Sequence, residues 1–159
     1  MQTLTTADES RIAVEQYGDG QPLILLHGGM APRQYWNPVI PCFEDYSVII
    51  PQRPGFGTCL DDPAETSADE VLDRETEYVR TLVDVVDGEP ILFGHSYGAL
   101  TAVETATDAP VEAVVAYEPA VLPEDFREKA DLAARMAALI DEGERHEAVK
   151  RYIEMVLQP

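Results

Sequence analysis

The sequence predicts an α/β fold: a mostly parallel sheet with flanking helices, followed by cap-like C-terminal helices. Two observations carry that prediction. Apolar runs of strand length recur along the chain and end in glycine turns, as in "LILLHGG", "SVIIPQRPGFG" and "PILFG". Such runs suit strands buried on both faces of a parallel sheet. Stretches with helical spacing alternate with them, which is the signature of right-handed strand–helix–strand crossovers.

The elements follow in order. "RIAVEQYG" alternates enough to be a strand, and "DG" then "QP" mark a turn. "LILL" is the next strand. "PRQYWNPVIPCFEDY" carries three prolines and predicts an interrupted helix. "SVII" is a third strand. Ser67 and Glu70 form an S-x-x-E capping box. Val71, Tyr78, Val79, Leu82, Val83 and Val86 then give the helix an apolar face that Gly88 closes. The strand "PILFG", a helix from Ser96 and the strand "VEAVVAYEP" complete the alternation.

From Pro123 the character changes. Two helices separated near Gly143 present Leu132, Met136, Leu139, Ile140, Val149, Ile153 and Val156 as an apolar face. The expected division is residues 1–122 as the sheet domain and 123–159 as a helical, cap-like segment.

Composition narrows the function classes. The chain has 159 residues and a formal charge of −19, from 30 acidic and 11 basic side chains. That balance argues against nucleic acid and anionic membranes as partners. A solvated acidic surface accounts for it, and adaptation to high salt is the sharper alternative. No run has the length of a membrane span, and the first residues lack the order of a signal peptide. A cytoplasmic protein is expected. Cys42 and Cys59 share no metal-ligand spacing with His27, His95 or His146, and buried free thiols are expected.

The chemistry centres on "GHSYG", residues 94–98, between a strand and a helix. A serine flanked by glycines at this spacing marks a nucleophile elbow, a tight turn that pushes the hydroxyl into a cleft. The "HGG" and "RPGFG" turns fall at the same carboxyl edge of the sheet, where such folds collect their chemistry. Together the three motifs resemble the α/β-hydrolase family over about residues 10–122. The resemblance implies Ser96 as nucleophile and the backbone N–H groups of Gly29 and Tyr97 as the oxyanion hole. It implies a small ester or other acyl substrate and no cofactor; an acyl-transfer or perhydrolase variant uses the same serine. Gln52 and Cys59 depart from the aspartate and serine that many family members carry near this turn. Tyr35, Trp36 and Phe56 are candidates for either the cleft or the core.

The family's triad runs serine, acid, histidine. Here Glu118 and His146 have that order after Ser96, but His146 falls on the polar part of a predicted helix. A surface histidine is the competing reading. The resemblance also implies further strands beyond "EAVVAYE". The sheet is therefore expected to stop short, as in a truncated enzyme, and to leave an edge open to self-association. The alternative is a non-catalytic binding module or remnant.

Overall fold

A computed structural model describes residues 2–5, 11–29, 31–53, 68–121 and 131–156. It divides into two units, residues 1–120 and 121–159.

Among the described residues, the first unit is built on a six-stranded sheet. Its strands are β1 (Gln2–Thr5), β2 (Arg11–Tyr17), β3 (Gln21–Leu26), β4 (Tyr46–Pro51), β5 (Ile91–His95) and β6 (Ala113–Tyr117). Their spatial order is β1-β2-β4-β3-β5-β6. β1 pairs with β2 and β2 with β4 in antiparallel fashion, while β4, β3, β5 and β6 run parallel. Helices α1 (Ala68–Val85) and α2 (Tyr97–Thr105) make the crossovers. The predicted α/β class and mostly parallel sheet are what the chain forms.

Alternation along the strands separates two cores. On one face Ile24, Leu26, Ile49 and Leu92 pack with Val79, Leu82 and Val83 of α1 and Ala102 of α2. On the other, Leu23, Leu25, Val48 and Ile50 pack with Trp36, Phe43 and Phe93. Leu23–Leu26 are all buried, as a doubly covered strand requires.

Several local expectations change. β1 is a strand that the polar "QTLT" did not signal; its register comes from β2, with Gln2 opposite Val14. The proline-rich stretch forms two 3-10 turns, Arg33–Trp36 and Ile40–Cys42, because its prolines interrupt the helical hydrogen-bond ladder. α1 ends at Val85, three residues before Gly88. Ser67, Phe56 and Cys59 lie outside the described residues. Cys42 is a free thiol but exposed, not buried, since it closes a surface 3-10 turn.

The second unit is a helical hairpin of α3 (Asp131–Asp141) and α4 (Arg145–Val156). Met136 and Leu139 are half-buried, but Ile140, Val149 and Ile153 are exposed. Among the described side chains of α4 the buried position is instead Ala148, so the apolar face is narrower than the spacing predicts. Leu132 and Val156 have no described side chains. Among the described residues, no helix is long and apolar enough to cross a membrane.

Candidate active site

The topology picks out one crevice. From β3 the chain steps to β4 on one side, whereas β5 and β6 lie on the other. The order reverses between β3 and β5, and ligands of open α/β sheets bind outside the strand ends at such a point. Gly28 and Gly29 follow β3 there, and Ser96 follows β5.

Ser96 sits between the last residue of β5 and the first of α2 with φ 55° and ψ −118°. A non-glycine residue in this region carries strain of about 1–3 kcal/mol. The surroundings hold it. Its N–H donates to the Tyr117 carbonyl at 3.0 Å, and its own carbonyl accepts from Ala99, Leu100 and Ala120. The end of β6 is thereby tied to the elbow. Gly94 and Gly98 make the tight turn possible. A Cβ on Gly94 would overlap the backbone of Gly98 and Ala99, and one on Gly98 would overlap the carbonyls of Leu26 and His27.

The loop after β3 approaches the serine closely. A Cβ on Gly28 would lie 3.2 Å from Ser96 Cβ and 3.3 Å from His95 Nδ1. Tyr97 is the first residue of α2, so its N–H has no partner within the helix and stands at the positive end of the helix dipole.

Beneath this crevice the polar groups are dense. His27 is fully buried, and its Nδ1–H donates to the Gly28 carbonyl at 2.9 Å. Burial, reinforced by the Arg53 charge, lowers its pKa to about 4, so the ring is neutral at pH 7. Arg53 and Glu75 form a buried ion pair. Burial pushes the Glu75 carboxyl up against the opposing pull of Arg53. Burial also pushes the Tyr97 phenol up, helped by the negative charge of Glu75. Gln52 is buried and accepts a hydrogen bond from Arg33; its carbonyl accepts one from Tyr78 at 2.7 Å.

The other predicted residues spread out. Trp36 joins the core, while Tyr35 is exposed and stacks on His95 at 5.2 Å between ring centroids. Tyr117 also packs on His95, at 5.5 Å. Glu118 is exposed after β6 with φ 47°. His146 is exposed on α4 in the second unit. Arg53 and Glu75 carry no role in the sequence reading. The sequence does hold a signal for Glu75: it stands four residues from both Val71 and Val79, on the apolar face of α1.

A mostly parallel sheet with a strained serine between strand and helix defines the class of fold. The sequence pattern of the alpha/beta hydrolase family matches residues 23–156, and the chain belongs to that family. It is 32% identical over 100 residues to the pimeloyl-[acyl-carrier protein] methyl ester esterase of Legionella pneumophila, covering 62% of this chain and 37% of that one. It is 31% identical over 96 residues to the (E)-2-((N-methylformamido)methylene)succinate hydrolase of Acinetobacter baylyi, covering 60% and 35%. Among solved structures, an alpha/beta hydrolase from Sphaerobacter thermophilus superposes with a TM-score of 0.75 at 27% identity, covering 97% of this chain and 60% of its own. The chain thus spans well under half the length of these two sequence relatives.

Proposed function

We propose that this chain carries the nucleophile and oxyanion hole of a serine hydrolase acting on an ester or similar small acyl substrate. The observation that carries the reading is the strained Ser96, held at φ 55° beside a glycine loop where a Cβ on Gly28 would lie 3.2 Å from its own Cβ. The Ser96 hydroxyl attacks the substrate carbonyl as its proton leaves to a base. The N–H groups of Gly29 and Tyr97 take the charge that develops on the carbonyl oxygen. Collapse expels the alcohol and leaves an acyl-serine, which water then opens. Esterase and hydrolase names among the relatives support an acyl substrate.

Glu118 and His146 are the acid and base that chain order offers. The φ of 47° at Glu118 supports a special position for it, since a non-glycine residue there is strained. Residues 1–122 form the catalytic core of this reading and 123–159 its cap-like segment. The protein is cytoplasmic, with no nucleic-acid or membrane partner, and self-associates through β6.

The test uses short p-nitrophenyl esters and mass spectrometry of the Ser96 peptide. Acylation of that peptide, absent in Ser96→Ala, is the expected result; a substrate acylating neither protein would contradict the reading. Glu118→Ala and His146→Ala then assign the acid and base. A loss of about a hundredfold in acylation supports the assignment, and an unchanged rate removes the residue from it.

A further inference from the structure

The Arg53–Glu75 pair has no place in the proposed reaction, yet Arg53 contacts both segments that carry the proposed oxyanion donors, at the His27 carbonyl and the Tyr97 ring. Arg53 is 0% exposed and Glu75 4%. Arg53 Nε donates to Glu75 Oε2 at 2.7 Å, and Nη2 lies 2.6 Å from the same oxygen. Nη1 donates to the His27 carbonyl. The guanidinium carbon lies 5.4 Å from the centroid of the Tyr97 ring. One side chain therefore joins four places: the end of β4, helix α1, the turn after β3 and the first residue of α2.

A buried ion pair is a poor stabiliser. The cost of desolvating two charges offsets their attraction, and well-packed apolar replacements are often neutral or better. Geometry gives the pair a different use. The planar guanidinium is a rigid fork that can fix a carboxylate and a carbonyl at once, whereas lysine offers only a point charge. Holding the His27 carbonyl fixes the peptide plane that leads into Gly28 and Gly29. Contact with the Tyr97 ring restrains the residue that supplies the other donor. A pre-set spacing of donors is what stabilises a developing oxyanion.

We propose that Arg53 is a positioning residue, oriented by Glu75, that holds the Gly29 and Tyr97 donors at one separation. The proposal rests on the serine-hydrolase reading above.

The test compares wild type with R53K, E75Q and the double variant R53M/E75L, which removes both charges while keeping the volume. Fluorophosphonate labelling of Ser96 is resolved into reversible binding and the bond-forming rate. Thermal midpoints and backbone amide spectra are recorded alongside. In R53M/E75L the midpoint should equal or exceed that of wild type, with reversible binding unchanged. The bond-forming rate should fall by about 30-fold, less than the loss of a whole donor. R53K should be comparably slow, and the Gly28, Gly29 and Tyr97 amide signals should move or broaden. A double variant that labels at the wild-type rate with those signals in place would overturn the proposal. So would one that fails to fold, since the pair would then be a structural requirement. A wild-type chain that does not label at all counts against the nucleophile reading instead, and the amide signals alone then decide the role of Arg53.

Discussion

Ser96 and its two flanking glycines show how little freedom the elbow has. Gly98 sits where any Cβ would strike the carbonyls of Leu26 and His27, so α2 can approach β3 only at a glycine. Gly98→Ala should cost about 1–3 kcal/mol, the usual penalty for overpacking, read as a lower urea midpoint. An unchanged midpoint would mean that the helix and strand are not in this contact. His27 makes a separate prediction. Its pKa falls from 6.5 to about 4 in the folded chain, so the unfolded chain binds the extra proton between those values. The neutral ring contributes fully above pH 6.5, and its contribution is lost as pH falls toward 4, on the order of 3 kcal/mol in all. Glu75, raised by burial, acts in the opposite sense. The His27 share is therefore the difference between wild type and His27→Gln in urea unfolding from pH 7 to pH 4. Parallel pH curves for the two proteins would contradict the assignment.

Element by element, the sequence is most readable where burial is most one-sided. "LILL" and "SVII" are apolar because β3 and β4 are covered on both faces, and the glycine turns that follow them mark them as strands. "QTLT" carries no such signal, because β1 is a polar edge strand that, among the described residues, pairs with β2 alone. The elbow was legible because its glycines are required by contacts a few residues away. Arg53 was not: its neighbours come from β3, α1 and α2, and local spacing cannot reveal three distant elements meeting. The same holds for the exposed faces of Ile140, Val149 and Ile153, which depend on how the hairpin packs rather than on periodicity. At the other edge, among the described residues β6 pairs with β5 alone, and Val115 and Tyr117 are 46% and 54% exposed. An uncovered apolar edge favours pairing with another chain. Sedimentation velocity should show dimers that Val115→Lys disperses; a monomer at every concentration would contradict self-association through this strand.

At the scale of the whole chain, the formal charge of −19 opposes that association, so dimers should strengthen as salt shortens the Debye length. The same charge is compatible with a small acyl substrate and disfavours polyanions. The proposed function requires that the fold activate Ser96 at the switch point of the sheet. An oxyanion hole alone sustains substantial catalysis even where a triad member is missing. The most direct measurement is therefore the rate at which a fluorophosphonate labels Ser96 in the folded chain and in the same chain in urea. Labelling should be at least about a hundredfold faster in the folded chain, with none at this peptide in Ser96→Ala. Equal rates in the folded and unfolded chain would contradict that activation.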